Sequence, residues 1–237
     1  MGRIKQIIKK CFSRLPSSTV IMLHHIDDGK LNIRSNCILT KSALTDFLDT
    51  RIPFISMETY CNSRFAWRSP CTLTFDDGLY DVYRVAYPEL KKRNIPFTVF
   101  IVTDYLDTDG YLSTQALREL AADPLVTIGS HGTSHAILTE LPAQAQLREL
   151  AESKRILQEI TGKEIRVFAY SHGQFNRTTL DLMKKHKLYD AAFSAGGGQT
   201  TLLAAARRYS LPRFNLTDQN TSYRIIRKKN YDHFLPV

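Results

Sequence analysis

Short apolar, β-branched runs alternate along this chain with stretches of helical period, from "STVIMLHHID" (18–27) to "RYSLPRFNL" (208–216). Strands separated by helices pair in parallel, because parallel neighbours need a crossover connection. The runs 71–75, 96–102, 125–130, 165–170 and 191–195 are predicted strands, and "IPFISM" (52–57) reads as a further one. Helices are predicted at 40–50 with Thr40 or Ser42 as N-cap, at 79–93, at 113–123 capped by Ser113, at 142–162 ending at Gly162, and at 177–187. Some seven or eight strands in 237 residues favour one irregular (β/α) barrel over an open sheet.

In parallel barrels chemistry gathers at the carboxyl ends of the strands. Here the polar, reactive residues fall where each apolar run stops: His24 and His25, Asp76 and Asp77, Ser130 and His131, and Tyr170 through His172. Two adjacent carboxylates at the end of a strand repel each other and resist burial, so Asp76 and Asp77 need a compensating charge. His131 and His135 are four apart, a spacing that brings two imidazoles to one side of a turn. Alone, such a pair fits either a metal site or two satisfied surface side chains. An acidic pair converging with it in one barrel mouth fits a divalent cation, with one carboxylate as ligand and the other as base.

Composition excludes more than it selects. Hydrophobic residues at 43% and charged residues at 23% are ordinary for a globular domain, and no tract is of low complexity. The net charge of +9 permits an acidic partner. No nucleic acid is expected, because no recognition motif is present and the aromatics are not interleaved with Lys and Arg. Cys11, Cys37, Cys61 and Cys71 show no C-x-x-C spacing, which reads as a reduced chain rather than a disulfide framework. Near the start, Ile4, Ile7, Ile8, Cys11, Phe12 and Leu15 recur at helical spacing among Arg3, Lys5, Lys9, Lys10 and Arg14. That helix (1–17) either makes a peripheral contact with the inner membrane through residues 1–15 or packs on the domain. The segment has neither the apolar core nor the cleavage site of a signal peptide, and no run of about 18 apolar residues occurs anywhere. A bacterial cytoplasmic location is the expectation. The barrel is expected to span 18–216, with a basic tail over 217–237.

"TFDDG" (74–78) together with "SHGTSH" (130–135) resembles the first two motifs of the polysaccharide deacetylase (NodB-type) family, carbohydrate esterase family four. "IMLHHI", "FIVTDYL", "VFAYSHGQFN", "AAFSAGGG" and "LPRF" are similar, in order, to landmarks of the branch that acts on poly-N-acetylglucosamine. The resemblance runs from about residue 18 to 216. It implies one divalent metal ion, Zn2+ first and Ni2+ or Co2+ next, held by Asp77, His131 and His135. It further implies Asp76 as the general base and His24, rather than His25, as the acid. The oxyanion donor would be the backbone N–H of His172, and Arg213 would keep Asp76 ionised; without the resemblance, Arg213 also reads as a surface residue of a strand-edge turn. Such a site activates water on the metal and cleaves an acyl–nitrogen bond.

Two departures stand out. Ser171-His172 occupies the place of the family's usual Pro-Tyr, and the motif carrying a groove tryptophan is not evident; the sole tryptophan, Trp67, precedes the first motif. The expected activity is removal of N-acetyl groups from an amino sugar, with an N-acetylated saccharide on a nucleotide or lipid carrier as the favoured substrate, during assembly of O-antigen, capsule or a related surface glycan. A deformylase acting on a lipid-linked amino sugar and an inactive glycan-binding relative are the alternatives.

Overall fold

The computed structural model describes residues 17–32, 35–50, 52–62, 70–196, 200–201 and 207–219. The helix expected at 1–17, Trp67 and most of the expected tail therefore lie outside the described residues.

The chain runs β1 (Ser17–Leu23), β2 (His25–Asp27), β3 (Ile38–Thr40), α1 (Lys41–Leu48) and α2 (Met57–Asn62). It continues through β4 (Cys71–Phe75), α3 (Tyr87–Lys92), β5 (Phe97–Ile101), α4 (Thr114–Ala122), β6 (Val126–Ser130) and α5 (Ala143–Thr161). It ends with β7 (Val167–Ala169), α6 (Arg177–His186), β8 (Ala191–Phe193), β9 (Thr200–Thr201) and β10 (Phe214–Asn215). Seven strands form one parallel sheet in the order β10-β1-β4-β5-β6-β7-β8, with β9 antiparallel to the start of β1. The sheet curls until its edges are joined by the segment 208–216. Leu211 bonds β8 through Ser194 N–H (2.8 Å) and Ala192 O (3.0 Å), and Leu216 N–H reaches Met22 O at 2.9 Å. The irregular barrel expected from the sequence is the fold.

Alternation along the strands divides the core. Outward residues such as Ile21, Leu23, Leu73, Phe75, Phe97, Val99 and Phe168 pack beneath the helices. Inward residues Val20, Phe100, Val167, Ala169, Ala191, Phe193 and Leu211 fill the barrel. Gly129 is also inward, and a Cβ there would stand 2.5 Å from the Phe100 ring; only glycine leaves that ring its place.

Residues 52–57 depart from the predicted strand. Only Phe54 forms a bridge, to Cys71. The Ser56 hydroxyl then accepts the Thr59 N–H at 3.1 Å and starts α2, whose Met57 and Tyr60 plug the barrel's lower end. The helix predicted at 79–93 contains one wide turn over Val82–Ala86, with Tyr87 N–H bonded to Val82 O. Pro88 follows and has no N–H to donate, so a widened turn absorbs the ring. The other predicted caps are as expected: Thr40, Ser113 and Gly162, the last in a left-handed conformation. Among the described residues Cys37, Cys61 and Cys71 are free thiols, and no helix is long and apolar enough to cross a membrane.

Candidate metal centre

The inward parity of the strands carries straight into the mouth. Val20, Met22 and His24 share one face of the first strand and its exit, as do Thr72, Thr74 and Asp76 on β4, and Thr127, Gly129 and His131 on β6. His24, Asp76 and His131 thus line a cavity of about 370 Å3 together with Asp77, His135, His172 and Arg213. His25 also borders the cavity, but its Nδ1 lies 2.7 Å from the Asp81 carboxylate, whose other oxygen accepts the Ile26 N–H at 3.1 Å. At His24 the chain leaves the main sheet, since β2 pairs only with β3.

Asp77 cannot reach the mouth by alternation, and the backbone supplies the turn instead. Its φ is 71°, a left-handed value that an aspartate adopts at some cost. His135 (φ 62°) and His172 (φ 55°) share that region. Three of the seven predicted site residues therefore sit on strained backbone.

The two carboxylates have separate partners. Asp76 is 2% exposed and Arg213 fully buried, joined by Nη1 to Oδ1 and Nη2 to Oδ2, both 2.7 Å. Arg213 also donates to Thr74 Oγ1 and to the Ser194 carbonyl, each at 3.1 Å, and lies over the Phe100 ring. Burial alone would raise the Asp76 carboxyl; the Arg213 guanidinium and the neighbouring imidazoles outweigh it and hold it below the ordinary carboxylate range. The edge-turn alternative for Arg213 is thereby replaced by a buried ion pair.

Asp77 Oδ1 is buried, has no hydrogen-bond partner, and lies 3.4 Å from Nε2 of both His131 and His135. Ligand atoms about 2.0–2.1 Å from a tetrahedral cation lie about 3.3–3.4 Å from one another. The oxygen stands at this spacing from both nitrogens, and all three atoms lie within 4.8 Å of one another, a donor set that fits Zn2+ or a neighbouring divalent ion. His131 Nδ1 bonds the Ala169 carbonyl at 2.7 Å, which fixes the proton there and leaves Nε2 free to ligate. Despite burial, which opposes it, the two imidazoles hold the Asp77 carboxyl well below its ordinary range.

His24 is partly buried, its Nδ1 is closed to solvent and lacks a hydrogen-bond partner, and desolvation lowers its pKa although Asp76 and Asp77 pull the other way. In the turn Ser171–Gly173 the bonds are donated by Gly173 N–H (to Tyr170 O, 2.8 Å) and Gln174 N–H (to Ser171 O, 3.2 Å), not by His172. The His172 ring is exposed and stands 4.8 Å from the His135 ring, centre to centre. All seven predicted site residues meet at one mouth. Two residues beside it were not anticipated: Asp81, which steers His25 away, and Glu149, which grips the loop between the metal-competent imidazoles. Both read in the sequence as ordinary charges on helical faces, and nothing in their spacing sets them apart.

A curled parallel barrel with an acid–imidazole cluster at its carboxyl mouth defines the class: a (β/α) barrel whose Asp77, His131 and His135 could hold a cation. Within that class, a family model described as polysaccharide deacetylase matches residues 68–191, more than half of the 237, and the chain belongs to that family. YxkH of Bacillus subtilis strain 168, named as a polysaccharide deacetylase, is 32% identical over 113 residues, covering 48% of this chain and 40% of that protein. The poly-beta-1,6-N-acetyl-D-glucosamine N-deacetylase of Staphylococcus aureus is 24% identical over 175 residues, 68% of this chain and 58% of that one. The chain thus matches less than two thirds of the length of either relative. Two solved structures share the fold. The deacetylase PplD of Streptococcus pyogenes has a TM-score of 0.78 at 23% identity, covering 91% of this chain and 99% of its own. IcaB from Ammonifex degensii has a TM-score of 0.75 at 22% identity, covering 91% and 97%.

Proposed function

We propose that this chain is a metal-dependent hydrolase that removes N-acetyl groups from an amino sugar within a saccharide. The observation that carries the reading is the single buried oxygen of Asp77, unpartnered and equidistant at 3.4 Å from two imidazole nitrogens, next to a second carboxylate committed to an arginine. Asp77, His131 and His135 would hold one divalent ion, Zn2+ before Ni2+ or Co2+ for this donor set. When bound, such an ion polarises an acyl carbonyl and makes water a better nucleophile.

The remaining steps belong to the chain's own residues. Asp76 takes the proton from the attacking water, with Arg213 keeping the carboxylate ionised and aimed. His24 donates to the leaving nitrogen. Its lowered pKa makes the imidazolium a more acidic donor than an exposed histidine. The His172 N–H, unused by its own turn, serves the developing oxyanion.

A role in assembling a surface glycan, such as O-antigen or capsule, draws support from the name of the staphylococcal relative. The net charge of +9 suits a substrate carried on a phosphate-bearing nucleotide or lipid. The amphipathic pattern of residues 1–15 supports a peripheral place at the inner membrane face. The test is acetate release, followed by mass, from a panel of free, nucleotide-linked and lipid-linked N-acetyl sugars, with and without chelator. Release that stops with chelator and returns with zinc is expected. Formate release from N-formyl sugars alone would favour the deformylase reading, and no release from any donor by the metal-loaded chain would overturn catalysis.

A further inference from the structure

The loop that separates the two imidazoles is held from both sides. Glu149, reaching from α5, places Oε2 on the backbone N–H groups of Thr133 (2.8 Å) and Ser134 (3.1 Å), while Oε1 accepts the Ser134 hydroxyl at 2.7 Å. On the opposite flank the N–H groups of Thr103 and Asp104 donate to the carbonyls of Gly132 (3.2 Å) and Thr133 (2.9 Å). One turn further along α5, Ser153 lies 2.7 Å from Ser130 Oγ, so the same helix also holds the end of β6.

The fit is close. Gly132 has a φ of +84°, and a Cβ there would stand 2.9 Å from Glu149 Oε2. The carboxylate therefore approaches the loop over a residue that must be glycine for both reasons. At the loop's far end His135 holds a left-handed backbone that a histidine does not favour, and that conformation sets Nε2 against Asp77. Something must offset the strain, and among the described residues Glu149 is the acidic side chain that binds the backbone N–H groups of this loop. It touches neither imidazole.

We propose that Glu149 is a positioning residue for the metal centre: its two oxygens lock the 131–135 loop in the one conformation that brings His135 and His131 to bear on the same point as Asp77. The inference rests on the metal reading above. Geometry, rather than charge, is what Glu149 contributes. Glutamine keeps the length, can accept both N–H groups through its carbonyl oxygen, and can donate to the Ser134 hydroxyl. Aspartate keeps the charge and withdraws the oxygens by about 1.5 Å.

The experiment uses the full chain, stripped of metal, then titrated with zinc against a chromophoric chelator and with cobalt for its visible absorption. Wild type is expected to bind one equivalent. Glu149→Gln should bind zinc within about threefold of wild type, whereas Glu149→Asp and Glu149→Ala should lose about tenfold or more and shift the cobalt bands. Gly132→Ala attacks the same contact from the loop side while leaving α5 intact, and should lose affinity likewise. Circular dichroism of the metal-free variants identifies any that fail to fold; Glu149→Gln and Gly132→Ala then decide the matter. Wild-type affinity in Glu149→Asp or Gly132→Ala, or a loss in folded Glu149→Gln as large as in Glu149→Asp, overturns the proposal alone. A wild-type chain that takes up no zinc overturns the metal reading itself.

Discussion

Arg213 grips Asp76 with two parallel bonds of 2.7 Å, the guanidinium fully buried and the carboxylate almost so. The guanidinium lies inside the barrel, over Phe100, and the carboxylate lies at the mouth. The two carboxylates of the acidic pair therefore differ in their surroundings: one is paired with a buried guanidinium, the other stands unpartnered between two imidazoles.

Removing the arginine should cost far more than a surface ion pair would. Arg213→Met leaves the Asp76 charge buried without its partner, a change expected to destabilise by about 3–5 kcal/mol. Urea unfolding measures it. Adding Asp76→Asn to Arg213→Met should recover part of the loss, because the stranded charge is then gone. A double variant less stable than Arg213→Met would show that the guanidinium matters for packing alone.

Asp76→Asn by itself separates base from ligand. Both Asp76 oxygens face Arg213, and Asp77 Oδ1 faces the imidazoles. Metal content should stay near one equivalent while turnover falls by about a hundredfold or more. Elemental analysis beside a deacetylation assay reads both. Loss of metal in this variant would make Asp76 a ligand and break the division of labour.

His135→Ala should behave in the opposite way, with metal content and turnover falling together. His135 would supply one of three donor atoms, and its side chain is 22% exposed, so truncation opens the site without emptying the core. Excess zinc should restore some activity. Full metal occupancy with no activity would move His135 from ligation to chemistry.

The placement of these residues at one mouth was legible because strand parity is a strong rule. The alternation that buries Val20 and Thr74 also delivers His24 and Asp76 to the cavity and sends His25 to Asp81. The barrel was legible for a similar reason: the strands are short apolar and β-branched runs and the stretches between many of them have helical period. Tertiary contacts set what was hidden. Residues 52–57 have the composition of a strand, yet the open lower end of the barrel gives Met57 and Tyr60 more burial as a helix. Glu149 has the spacing of a solvated helix face, and only the folded loop 131–135 gives it partners. A parity rule also cannot place Asp77, which enters the mouth through a left-handed turn.

Acid should weaken the fold through a carboxylate remote from the mouth. Asp123 closes α4 and accepts the Tyr87 hydroxyl (2.7 Å), the Leu125 N–H (3.0 Å) and the Lys91 ammonium (2.9 Å). Burial pushes its pKa up, but these three donors outweigh burial and bring it from 3.8 down to about 2. A carboxyl depressed in the folded state stabilises above its unfolded value and loses that contribution as pH falls toward its folded value. The contribution is therefore complete above pH 3.8 and is lost by about pH 2. Asp123→Asn should cost about 1–2 kcal/mol at neutral pH, and the gap to wild type should close as the pH of the urea titration is lowered through that window. A gap that stays constant down to the acid limit would mean that Asp123 acts through shape and hydrogen bonding, with no part played by its charge.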